Sequence, residues 1–224
     1  MQKSMIKFLS IADLVTLINA IFGFLSIIML FLEEIRISFS LILLALLADG
    51  LDGIVARKFG VGKIGDYLES MADMTSMAIA PMAFVFFTYY NQLSDFYFYL
   101  LFLTVLIIFL ICSIIRLSSF HILKDKNYFV GLPASASTIY IILLANYEIN
   151  IIYMLPLIFV ISLAMISNIH FPKLGFKISA IATILIFIII ILYTTYLSIA
   201  TLLLLTLLTI YVIVGPIYVK QTKK

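Results

Sequence analysis

A bundle of about eight membrane-spanning helices, all-α and polytopic with both termini cytoplasmic, is the fold this sequence predicts. Three observations predict it. First, 65% of the 224 residues are hydrophobic and only 11% are charged, with a mean hydropathy of +1.25; a soluble domain carries roughly 45–50% apolar and about 25% charged residues. Second, the apolar residues fall in runs close to the ~20 residues that cross a bilayer, separated by short polar breaks. Third, the positive charges sort to one side of the resulting topology. So few charges cannot cover a water-facing surface, which excludes a soluble enzyme, a disordered tail and a nucleic-acid-binding domain. The net charge of +3 gives no reason to expect nucleic acid as a partner.

The runs place helices at about 9–32, 38–57, 66–91, 97–118, 132–147, 151–169, 178–196 and 198–218. The first run is too long for a signal peptide and lacks a small-residue cleavage site, so it is expected to stay as a helix. The last two divide a stretch too long for one span at the polar patch Tyr193–Ser198. Alternating sides from a cytoplasmic N-terminus puts every Lys and Arg except Arg36 on the cytoplasmic side, as the positive-inside rule demands. Tyr89, Tyr90, Tyr97, Tyr153 and Tyr196 are read as interfacial belts, and His121 and His170 as interfacial hydrogen-bonding groups. The whole chain, 1–224, reads as one integral membrane domain. The lone Cys112 has no partner for an intrachain disulfide and sits in an apolar run as a small buried hydrophobe.

Charges inside such helices are costly, by several kcal/mol unless paired, hydrated or metal-bound. Five of the eleven acids nevertheless lie between positions 49 and 73. Asp49, Asp52 and Ala56 share one helical stripe at i, i+3 and i+7, with Arg57 at its edge; Asp66, Glu69 and Asp73 repeat the spacing on the next helix. Two antiparallel helices joined by a short loop can turn these stripes toward each other. The expected product is a carboxylate cage near the cytoplasmic surface. Oxygen-only ligands select hard ions, Mg²⁺, Mn²⁺ or Ca²⁺, over zinc. Gly50, Gly53, Ala56, Gly60, Gly62 and Gly65 interleave the acids. Small residues at such spacing also serve close helix packing in lipid, but packing explains neither the acids nor Arg57. A cation-coupled transporter would spread its acids along several spans, whereas these converge at one membrane face.

The stretch Asp49-Gly-Leu-Asp52-Gly53-Ile-Val-Ala56-Arg57, followed by Gly65, Glu69 and Asp73, resembles the signature of the CDP-alcohol phosphotransferase family, D-x-x-D-G-x-x-A-R and then G-x-x-x-D-x-x-x-D. Glu69 stands where the family has aspartate. Further stretches are similar to the phosphatidylserine synthase branch: Leu68–Ser76 with Ala80-Pro81, then Arg116-Leu-Ser-Ser-Phe120, then Tyr128-Phe-Val-Gly-Leu-Pro-Ala-Ser135. Asp13, Thr16, Asn19 and Gly23 resemble the family's first helix. The resemblance runs from about 11 to 175, so the catalytic core is expected over about 9–175, with two additional helices over 178–218.

The resemblance implies transfer of a phosphatidyl-type group from a CDP-linked lipid to the hydroxyl of L-serine, releasing CMP. Glycerol phosphate and inositol phosphate are the alternative acceptors. It implies Mg²⁺ or Mn²⁺, with two ions in one site held by Asp49, Asp52, Glu69 and Asp73, and Asp66 a further candidate ligand. Asp73 is the expected general base. Arg57 is expected to neutralise a phosphate, Gly53 and Ala56 to let the cytidine phosphate lie close to the helix, and Thr16 and Asn19 to offer it polar contacts. Serine carries a carboxylate, for which Arg116 is the candidate partner, and the loop Lys124–Gly131 is a candidate cover. A homodimer among membrane lipids, in the plasma membrane with its site facing the cytoplasm, completes the expectation.

Overall fold

The computed structural model describes residues 5–60, 62–93, 95–120, 122–123, 128–191 and 197–222. His121, the first four residues of the loop expected to cover serine, Lys3, Lys223, Lys224, and the polar patch from Tyr193 through Tyr196 lie outside the described residues.

Each of the eight expected spans corresponds to helical structure. Helices α1 (Ile11–Phe31) and α2 (Ile35–Phe59) come first. The third span comprises α3 (Gly65–Asp73), a π-helical segment (Met74–Ile79) and α4 (Ala80–Tyr89). Then come α5 (Phe96–Ser119), α6 (Ala134–Asn146), α7 (Ile151–Met165), α8 (Phe176–Ile191) and α9 (Leu197–Thr222). Among the described residues, five stretches are long and apolar enough to cross a membrane: Ile11–Phe31, Ile35–Phe59, Gly65–Gln92, Phe96–Ser119 and Ile199–Gln221. The protein is a multi-pass, helical membrane protein. Helices α6, α7 and α8 are shorter; the 13 residues of α6 rise only ~20 Å. Two three-residue strands, β1 (Tyr128–Val130) and β2 (His170–Pro172), pair antiparallel with Phe129 opposite Phe171. The helical periodicity of the sequence carried no sign of this ladder.

The chain divides into two compact units, Met1–Gln92 and Leu93–Lys224. In the first, α1 packs on α2, α3, the π segment and α4. Its start is set by a capping box: Ser10 Oγ accepts from the Asp13 amide at 3.3 Å and Asp13 Oδ2 accepts from the Ser10 amide at 2.6 Å. Asp13 is thus explained by helix capping.

The sidedness of α1 inverts that of a soluble helix. Asp13, Thr16, Asn19, Gly23 and Ser26 are buried, while Leu14, Ile18, Ile21 and Phe24 are exposed. Apolar solvent outside and polar contacts inside is the pattern lipid imposes, because burying leucine against protein gains little over leaving it in hydrocarbon. Below the polar stripe, Phe39 and Phe84 meet at 5.9 Å between ring centroids. Tyr89 is fully buried there, which corrects its reading as a belt residue; Tyr90, Tyr97 and Tyr153 are exposed.

In the second unit, α5 packs on α7, α6 on α7 and α9, and α9 on α8 and β2. Gly131, at φ +76°, donates its amide to Ile169 O at 2.7 Å, and the Leu132 amide reaches Ala164 O at 3.0 Å. A side chain at 131 would strike Met165 O. The Gly131-Leu132-Pro133 turn thereby clamps the start of α6 to the end of α7. Tyr211 of α9 donates to Pro172 O at 3.2 Å, holding α9 against β2.

Candidate active site

Helix α2 supplies Asp49 and Asp52, and α3 supplies Glu69 and Asp73, each pair about one turn apart so that both members share a face. The loop joining the helices is pressed on the start of α1. Lys63 donates its amide to Phe8 O at 3.2 Å, and a Cβ at Gly62 would run into the Asp13 carboxylate. That short, anchored connection turns the acidic faces of α2 and α3 together. One carboxylate oxygen from each of Asp49, Glu69 and Asp73 lies within 4.8 Å of the others.

Two unit charges at that distance repel by ~3 kcal/mol at an effective dielectric of about 20. Three carboxylates so placed could hold a cation, and an all-oxygen donor set fits a hard divalent ion. Asp73 is buried and Asp49 and Glu69 are half-buried, so water screens the repulsion only in part.

Asp52 is not a member of this trio. Its Oδ2 accepts from Thr16 Oγ1 at 2.7 Å, and it is buried at 6% exposure. Asp66 is exposed on α3, outside the group. Asn19 donates through Nδ2 to Asp73 Oδ1 at 2.8 Å, while its buried Oδ1 has no partner among the described residues. Such an orphan calls for a donor or a cation. The expected site residues Thr16 and Asn19 therefore meet carboxylates. Along α2, a Cβ built at Gly53 would meet the Arg57 Nη1 at 3.8 Å, with Ala56 half-buried and Arg57 exposed at the end of the helix.

Immediately after Asp73 the chain winds into the π segment, a wider turn frequently found at functional sites. There Ser76 approaches α1 so closely that a Cβ on Gly23 would lie 2.9 Å from the Ser76 Cα. Sequence reading treated this span as an uninterrupted helix, because an all-apolar stretch shows no change of period where the winding changes.

Arg116 belongs to the second unit. It is only 7% exposed near the end of α5, its Nε has no hydrogen-bond partner among the described residues, and its guanidinium lies 5.5 Å from the Phe120 ring centroid. It lines a small surface cleft with Phe120, Tyr128, Phe129 and Lys173 among its other walls. Lys173 Nζ sits 5.3 Å from the Phe129 ring centroid. Sequence analysis counted Lys173 only as an orienting charge; the β1–β2 pairing that brings it beside Arg116 joins segments some forty residues apart. His170 stacks edge-on against Tyr128, 4.7 Å between ring centroids.

Comparison with known proteins bears on this geometry. The family model described as CDP-alcohol phosphatidyltransferase matches residues 9–214, beyond the stretch whose motifs are legible and into α9. Over 177 residues the chain is 37% identical to a CDP-diacylglycerol–serine O-phosphatidyltransferase of Methanocaldococcus jannaschii, covering 77% of this chain and 78% of that protein. Over 181 residues it is 33% identical to an archaetidylserine synthase of Methanothermobacter thermautotrophicus, covering 77% and 73%. A CDP-diacylglycerol–serine O-phosphatidyltransferase of Helicobacter pylori is 28% identical over 163 residues, 66% of each chain. With the signature acids converging and the match running almost end to end, the chain belongs to the CDP-alcohol phosphatidyltransferase family.

Proposed function

We propose that the protein transfers a phosphatidyl-type group from a CDP-linked lipid to the hydroxyl of L-serine, forming a serine phospholipid and releasing CMP. The observation that carries the reading is the convergence of Asp49, Glu69 and Asp73, at signature spacing, in a chain similar to a CDP-diacylglycerol–serine O-phosphatidyltransferase and an archaetidylserine synthase. Asp49, Asp52, Glu69 and Asp73 are the residues that would hold Mg²⁺ or Mn²⁺. When bound, such ions neutralise the pyrophosphate and stabilise charge on the entering and leaving oxygens.

The chain's own groups account for the rest. Serine Oγ attacks the lipid-bearing phosphorus, the bond from that phosphorus to the CMP oxygen breaks, and the hydroxyl proton passes to Asp73. Asn19 holds the Asp73 carboxylate from α1 through Oδ1, orienting it to take that proton. Arg57 meets a phosphate of the nucleotide, and the open face at Gly53 and Ala56 admits it to the helix. Arg116 takes the serine carboxylate: a buried guanidinium with an unpaired Nε on an open cleft is built for a planar anion. We place the reaction at the cytoplasmic face of the plasma membrane, where the positive-inside bias puts the acidic end of α2, and assign a homodimer on the family resemblance.

Lys173 in the Arg116 cleft favours a second reading, in which the acceptor carries a phosphate, such as glycerol phosphate or inositol phosphate. One experiment tests both. Purified protein, CDP-linked lipid with ester or ether tails, and Mn²⁺ or Mg²⁺ are assayed for CMP release with each acceptor. Release that requires serine supports the proposal; release only with a phosphorylated alcohol replaces it with the second reading.

A further inference from the structure

We infer that Thr16 and Asn19 are positioning residues, which set the metal affinity of the acidic cluster by holding Asp52 and Asp73 from α1, and that they do not bind the nucleotide. The inference rests on the metal-dependent reading given above. Thr16 and Asn19 stand about one turn apart on the polar stripe of α1, and the two acids that they hold come from α2 and α3, two of the helices it packs against. A threonine inside a helix ordinarily donates to the carbonyl four residues back. Here the hydroxyl lies 3.3 Å from Ala12 O but 2.7 Å from Asp52 Oδ2, and its single proton goes to the shorter contact. Asn19 commits one amide hydrogen to Asp73 Oδ1 at 2.8 Å. Thr16 and Asn19 are 5% and 0% exposed. A bound nucleotide would have to displace the Thr16 bond before drawing on that hydroxyl proton, and could reach Asn19 only where its side chain is fully buried.

The consequence is geometric. Each carboxylate has one oxygen tied to α1 and the other directed by that tie, so the cluster's shape is imposed before a cation arrives. Hydrogen bonds of this kind behind metal ligands are worth about 10–100-fold in metal affinity. The unpaired Oδ1 of Asn19 lies beside this arrangement and remains available to a donor or cation of the loaded state.

The test uses full-length protein in detergent, with Mn²⁺ binding measured by calorimetry in the absence of substrate. Thr16→Val and Asn19→Leu are expected to weaken Mn²⁺ binding about 10–100-fold, while Thr16→Ser, which keeps the hydroxyl, binds as the unaltered protein does. At saturating Mn²⁺ the KM for CDP-linked lipid stays within about twofold of the unaltered protein. Unchanged Mn²⁺ affinity together with a raised lipid KM overturns the inference and returns both residues to the nucleotide. Failure of the unaltered protein to bind Mn²⁺ overturns the metal reading itself, and this inference with it. The Ser variant separates either outcome from misfolding.

Discussion

Substituting Gly23 with alanine tests how the first helix holds the cluster. The added Cβ would sit 2.9 Å from the Ser76 Cα, against the roughly 3.5–4.0 Å of an ordinary carbon–carbon contact. The obstruction is backbone, so no rotamer change relieves it, and α1 must move from the π segment by about 0.6–1.1 Å. Asn19 lies one turn before Gly23 and Asp73 one turn before Ser76. The same displacement therefore stretches their 2.8 Å hydrogen bond to about 3.4–3.9 Å, mostly beyond hydrogen-bond range. A hydrogen bond to a charged group contributes ~1.5–3 kcal/mol, which translates into about a 10–100-fold loss of Mn²⁺ affinity. Overpacking adds ~1–3 kcal/mol of destabilisation. Mn²⁺ calorimetry and thermal unfolding of the detergent-solubilised variant measure the two effects separately. Removing the Ser76 side chain as well leaves the Cα in place, so Gly23→Ala with Ser76→Gly is not expected to recover. A Gly23→Ala protein that binds Mn²⁺ with unaltered affinity would refute the reasoning, because α1 could then shift without disturbing the acids.

Three further outcomes are expected. Asp73→Asn should retain CDP-lipid binding by calorimetry while CMP release falls at least about 100-fold, the scale of a lost general base; near-normal turnover would remove Asp73 from that role. Arg116→Lys should raise the serine KM about tenfold and leave the CDP-lipid KM within about twofold, since an ammonium cannot reproduce a guanidinium's paired donors. Equal effects on the two constants would argue against a carboxylate contact. Gly131→Ala should lower thermal stability by ~1–3 kcal/mol, because alanine is strained at φ +76° and its methyl meets Met165 O; an unchanged melting temperature would show that the turn can relax.

Much of this architecture is legible in the residues, for a physical reason. Lipid demands long apolar runs and tolerates few charges, so the apolar helices and the cluster of acids at 49–73 stand out against an otherwise uniform background. The i, i+3 and i, i+4 spacings also suffice to put Asp49 with Asp52, and Glu69 near Asp73, on shared faces. Which oxygens then meet is not legible, because that depends on the rotation of α1. Its Thr16 meets Asp52, which stands outside the trio, and its Asn19 meets one oxygen of Asp73. The π segment at Met74–Ile79 leaves no trace because every residue around it is acceptable in lipid whichever way it winds. The cleft at Arg116 escapes for another reason. Its walls at Tyr128, Phe129 and Lys173 are joined by a two-strand ladder, and pairing between distant segments has no local period. Tyr89 shows the same limit: an aromatic at a helix end reads as a belt residue until packing buries it.

The most direct test of the central claim follows the serine hydroxyl oxygen. Protein incubated with CDP-linked lipid, Mn²⁺ and L-serine labelled with ¹⁸O in its hydroxyl is analysed by mass spectrometry of both products. Attack of that oxygen on the lipid-bearing phosphorus predicts a serine phospholipid that keeps the label in its bridging oxygen, with unlabelled CMP formed in equal amount. Label lost to water, or CMP released at the same rate without serine, would contradict the account.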